Sequence, residues 1–112
     1  MAYDAGLANR VREALSGRNV EEKNMFGGVC FMVNGKMCVT VGKDRLMCRI
    51  DQALHETALA NHGVQTVVMR GREYKGHVYV PEESIQSRRD LDYWINLALE
   101  YNAIATSSKG KE

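Results

Sequence analysis

No run in this 112-residue chain approaches the roughly 18 consecutive apolar residues of a membrane-spanning helix, so no membrane partner is expected. The first fifteen residues mix acidic and basic side chains where a secretion signal needs a long apolar stretch, and a cytoplasmic location is expected. Excess charge of either sign is also missing: the net charge is +1, so no global field advertises nucleic acid, although a local basic patch stays open. Cysteines number three and form no Cys-x-x-Cys pair, which removes a disulfide framework and the usual zinc ribbons. What is present is an ordinary globular composition, 45% hydrophobic and 26% charged, enough for one core. The expected organisation is a single domain over residues 1–105 and a disordered tail over 106–112, Thr-Ser-Ser-Lys-Gly-Lys-Glu.

Leu7, Ala8, Val11, Ala14 and Leu15 recur at three- and four-residue intervals and predict a helix, with Gly17 as its stop. The polar stretch Val20–Asn24 reads as a connector. Asn34-Gly35, set between two apolar runs, predicts a two-residue hairpin, because both residues tolerate the positive φ of a type I′ turn. That turn sets Val33 opposite Lys36, Met32 opposite Met37, Phe31 opposite Cys38 and Cys30 opposite Val39. A further turn at Gly-Lys-Asp-Arg brings Val41 beside Leu46 and Val39 beside Cys48, completing a three-stranded antiparallel meander.

Alternation sorts the side chains of that meander. Cys30, Met32, Met37, Val39, Val41, Leu46, Cys48 and Ile50 form an uncharged face suited to packing on helices. The other face carries Phe31, Cys38 and Met47 at its centre with Lys36, Arg45 and Arg49 around them. Asp51 predicts the cap of a second helix that stops near Gly63; Val64–Met69 and Gly76–Val80 predict two strands; and Ser87 opens a third helix marked by Leu91, Trp94, Ile95, Ala98 and Tyr101. The fold class is α+β: helix, three-stranded antiparallel meander, helix, two strands, helix.

Met25-Phe26-Gly27-Gly28, then Phe31-Met32-Val33-Asn34-Gly35-Lys36-Met37, and later Gly71-Arg72-Glu73-Tyr74-Lys75-Gly76-His77-Val78-Tyr79-Val80 stand in the order and spacing of one known family. Together with the Trp-containing C-terminal helix, they resemble the N-terminal domain of the TfoX/Sxy competence regulators over about residues 5–104. The resemblance implies an α+β domain of the kind also seen in type III secretion chaperones, and a transcription-related role. It implies no catalytic residues and no cofactor.

Residue chemistry points the same way. Cys30 and Cys48 lie roughly 10 Å apart on strands separated by a third, too far for a disulfide, while Cys38 faces away from both. His55-Glu56-Thr57-Ala58-Leu59 has leucine where a zinc-protease motif requires its second histidine. Gly27-Gly28 opens into a strand, whereas phosphate cradles open into a helix, so a bulge or close backbone approach is the expected role. Gly71 and Gly76 keep Walker spacing, but His77-Val78 replace the required Lys and Ser/Thr.

The expected function is a non-enzymatic regulatory or protein-interaction module. Phe31, Cys38 and Met47 are its candidate interface, toward a protein partner or a second copy in a homodimer, unless the third helix covers that patch. The alternative is direct nucleic-acid binding through Arg45, Arg49, Arg72 and Lys75, with Lys36 at the rim. A third reading, a small-ligand or thiol enzyme, rests on Cys38, His77 or the Gly71–Gly76 loop.

Overall fold

The computed structural model describes residues 4–25, 28–61 and 63–104. Helix α1 spans Ala5–Ala14, and the Asp4 carboxylate opens it by accepting the Leu7 amide at 3.1 Å. Its buried stripe is Leu7, Ala8 and Val11. Four antiparallel strands follow, β1 (Val20–Met25), β2 (Gly28–Val33), β3 (Lys36–Val41) and β4 (Arg45–Arg49). A 3-10 turn over Gln52–Leu54, capped by Asp51, leads into the short α2 (His55–Leu59). Strands β5 (Gln65–Met69) and β6 (Arg72–Pro81) precede α3 (Arg88–Asn102), whose N-terminal cap is Ser87, accepting from the Asp90 amide.

The six strands form one sheet in the order β1-β2-β3-β4-β6-β5, so the chain mixes helices with an antiparallel sheet, as an α+β fold requires. Six strands replace the five expected, because Val20–Met25 is the sheet edge and not a connector. Glu21, Glu22, Lys23 and Asn24 are all exposed there. An edge strand has solvent along one side and needs no apolar alternation, and charge along it discourages pairing with other chains. The second helix is also shorter than expected, since the Asp51 cap serves the 3-10 turn.

Asn34 and Gly35 have φ of 54° and 79°, the paired positive values of a type I′ turn, and Arg70-Gly71 repeats this geometry between β5 and β6. The expected pairs Val33–Lys36 and Met32–Met37 hold, and so do Val41–Leu46 and Val39–Cys48. Between the two sets β3 bulges, so Phe31 faces Val39, Cys30 faces Thr40, and Cys38 is the extra residue.

That one-residue slip turns β2 over relative to the sequence-based register. Val29, Phe31 and Val33 join Cys38, Val39, Val41, Leu46, Cys48, Val78 and Val80 in the main core, packed with α1 residues Leu7 and Val11 and α3 residues Leu91, Trp94, Ile95 and Ala98. Cys30 and Met32 move to the opposite face. Full burial of a side chain such as Phe31 or Leu46 contributes about 1.5–3 kcal/mol, so the slip decides which residues hold the domain together. Arg12 of α1 lies 5.7 Å from the Phe31 ring centroid and pairs with Glu22 at 2.6 Å, closing this layer at its β1 side. Arg10 donates to the carbonyls of Ile85 and Gln86 at 2.7 and 3.0 Å, fixing α1 to the segment that feeds α3.

Gly28 sits where two backbones touch. A Cβ there would stand 2.1 Å from the Val41 carbonyl oxygen, so only glycine fits, and the close-approach reading of this motif holds at Gly28. Gly27, His62 and the 106–112 tail lie outside the described residues.

Candidate functional site

Helix-facing and outward-facing residues alternate on β4: Leu46 and Cys48 enter the main core, while Arg45, Met47 and Arg49 take the second face of the sheet. Their partners on β6 are Pro81, Tyr79 and His77. Thr40 of β3 stands beside Met47, Cys30 of β2 beside Thr40, and Gln65 of β5 beside Tyr79. The second face is thus a row of polar and aromatic side chains around buried Cys30, Thr40 and Met47.

Two arginines of that row engage aromatic rings. The Arg45 guanidinium is 3.6 Å from the centroid of Tyr79, and that of Arg49 is 5.4 Å from the centroid of Tyr101 on α3. Arg45 and Tyr79 also line a shallow cleft of about 330 Å³ with Asp44, Gly63, Gln65, Pro81 and Glu83. Arg45 and Arg49 stand four steps apart along the strand, roughly 13 Å at about 3.3 Å per residue. One small ligand cannot bridge them, whereas an extended surface can meet both.

At the Arg49 end, Arg49 and His77 are direct cross-strand partners. Arg49 Nη1 and His77 Nδ1 are both buried and without a hydrogen-bond partner. Burial, then the positive charge of Arg49, hold the His77 imidazole below its ordinary 6.5, against the pull of the Lys75 backbone. Tyr74 meets His77 edge-on at 6.1 Å.

The candidate interface of the sequence reading separates here. Phe31 and Cys38 are fully buried in the core beneath the helices, and Met47 lies on the second face, so the three do not form one patch. The reason is the bulge, together with the cover that α3 supplies through Trp94 and its neighbours. Of the basic residues, Arg45 and Arg49 share the second face. Lys36 closes the β2–β3 hairpin, where its carbonyl accepts from Asn102 at 3.3 Å. Arg72 and Lys75 are exposed on the far half of β6, with Lys75 beside Glu73, His55 and Thr66 in a separate cleft. Tyr79 escaped the sequence reading, and His77 entered it only as a small-ligand or enzyme candidate, although both alternate with Val78 and Val80, a pattern that marks the outward side of a strand.

All three cysteines are free and buried. Burial pushes the Cys38 thiol up to about 12 and raises Cys48 as well; it raises Cys30 too, with the Thr40 hydroxyl and Lys23 partly offsetting it. Raised thiols are poor nucleophiles. Gly76 does not cradle an anion, because its amide donates to His55 Nδ1 at 2.9 Å. Among the described residues no three His, Cys, Asp or Glu side chains gather as metal ligands, and no helix is long and apolar enough to cross a membrane.

These features define a helix-backed antiparallel sheet domain whose distinctive chemistry lies on the second face of its sheet. The family model of the TfoX N-terminal domain matches residues 13–101, and the chain belongs to that family. No curated protein and no solved structure matches the chain.

Proposed function

We propose that this domain is a non-catalytic regulatory module of the cytoplasm that contacts a protein partner through the second face of its sheet, in a transcription-related role akin to that of the competence regulators. The observation that carries the reading is the Arg45–Tyr79 stack at 3.6 Å, presented beside Met47 on the face opposite α1 and α3. An arginine held flat on an aromatic ring loses little freedom on binding, and Arg and Tyr are among the residues that dominate interface energies. The cation favours a partner surface bearing carboxylates; a second copy of the domain is the homodimeric version of the same contact. Family membership supports a regulatory role, and the raised thiols argue against a cysteine nucleophile.

Direct nucleic-acid binding is the second reading, favoured by Arg45 and Arg49 lying on one face. Fluorescence-anisotropy titration against mixed-sequence duplex and single-stranded DNA, at low and near-physiological salt, separates the two. Absence of binding at both salts supports the protein-partner reading. Binding that falls steeply with salt and is lost in Arg45→Glu replaces it with the nucleic-acid reading.

A further inference from the structure

Most arginines of the described chain have their charge accounted for. Arg10 spends its donors on backbone carbonyls, Arg12 pairs with Glu22, Arg88 pairs with Asp92, and Arg45 is exposed on the Tyr79 ring. Arg18, Arg70, Arg72 and Arg89 are exposed and hydrated. Arg49 differs: it is only part exposed, its Nη1 is buried without a hydrogen-bond partner, and no carboxylate of the described residues pairs with it. Its direct neighbour across the strands, His77, has a buried Nδ1 that no partner meets at good hydrogen-bond geometry, the nearby Lys75 backbone being a lesser influence on the ring than burial and Arg49. Buried polar groups are almost always hydrogen-bonded, and a cation withdrawn from water needs a counter-charge. Two such defects on one cross-strand pair, whose Cβ atoms stand about 5 Å apart, call for a common remedy.

We propose that the Arg49–His77 pair is a binding site for a small oxyanion, a phosphoryl or carboxylate group. One oxygen accepts the Arg49 Nη1 hydrogen, another accepts a hydrogen from His77 Nδ1, and the negative charge neutralises the guanidinium. Both side chains keep part of their surface in solvent. Among the described residues no carboxylate forms an ion pair with Arg49: His77 senses Arg49 from β4, His55 from α2 and a hydrogen bond with the backbone at Lys75, while Arg49 stands by the Tyr101 ring of α3 and acts on the Cys38 thiol of β3. Arg49 disfavours protonation of His77; a bound anion reverses that influence, so binding takes up a proton and tightens as pH falls. This goes beyond partner docking, and stands or falls apart from it, since docking rests on Arg45 and Tyr79.

The test is an NMR titration of the His77 ring in the full chain, across pH, with and without inorganic phosphate, and in parallel with acetate. The expected result is a saturable rise of the His77 pKa by about one unit or more, together with shifts at Arg49. A response to phosphate alone assigns a phosphoryl ligand, and a response to both probes assigns a general oxyanion site. A His77 pKa unmoved by either probe overturns the proposal, and this measurement needs no variant. Arg49→Gln should abolish the response while the exposed Arg72→Gln leaves it intact; a response that survives Arg49→Gln overturns the proposal too.

Discussion

His55 Nδ1 accepts the backbone amide of Gly76 at 2.9 Å, and its Nε2 stands 3.0 Å from the Thr66 hydroxyl. An accepting Nδ1 carries no proton, so the ring hydrogen lies on Nε2 and points to Thr66. The imidazole thereby ties α2 to both β5 and β6 at the place where their register breaks, between Thr66 and Val67. His55→Ala strands the buried Gly76 amide and should cost about 1–3 kcal/mol, whereas Thr66→Val should cost about 1 kcal/mol. Urea unfolding of the two variants checks the order.

Gly28 and Gly35 are both glycines of the recognisable motif, yet they should respond differently. Ala at 28 places a Cβ against the fixed Val41 carbonyl, and a loss of about 3 kcal/mol or more is expected. Ala at 35 meets nothing within 4 Å and incurs only the left-handed backbone penalty, about 1–2 kcal/mol. Thermal denaturation of the two alanine variants distinguishes steric from conformational demand.

His77 gives the domain a pH dependence whose sign is fixed. The unfolded imidazole titrates near 6.5, and the folded one lies below that because of burial and Arg49. Between these two values the unfolded chain holds the proton and the folded chain does not, so acid favours unfolding. The stability tied to neutral His77 is therefore complete above about 6.5 and is lost as pH falls toward the folded value. Denaturant midpoints measured in the absence of phosphate and carboxylate buffers should decline across that window, and His77→Gln should flatten the decline.

The thiols should behave as core atoms. Cys38, with its pKa pushed up to about 12 by burial, and Cys48, raised further, should react with a disulfide reagent only when the domain opens. Labelling should accelerate in step with the unfolded fraction as urea is added. Fast labelling of Cys38 under native conditions would restore the thiol-enzyme reading.

Local chemistry made part of this architecture legible. Asn34-Gly35 named its turn, Ser87 its cap, and the 3.6-residue recurrence of Leu91, Trp94, Ile95 and Ala98 the buried side of α3. Strand β1 was hidden because an exposed edge is stabilised by backbone pairing to β2, and Glu21 to Asn24 carry no apolar rhythm. The Cys38 bulge left no compositional mark, since an extra residue in a run of Met, Cys and Val changes register without changing character. That omission moved Phe31 from the surface to the core and dissolved the interface proposed for it. The second face became readable only when β6 was placed against β4, a long-range pairing that brings Tyr79 and His77 to Met47 and Arg49.

On the proposed function, the Arg45–Tyr79 side of the sheet meets a partner. The direct measurement is quantitative affinity capture from the host's own extract, comparing the wild-type domain with an Arg45→Glu/Tyr79→Ala double variant confirmed to be folded. Light scattering of both purified chains alongside reports self-association. The wild type should retain a partner or second copy that the double variant loses. Identical retention and identical mass for the two proteins would contradict the proposed function.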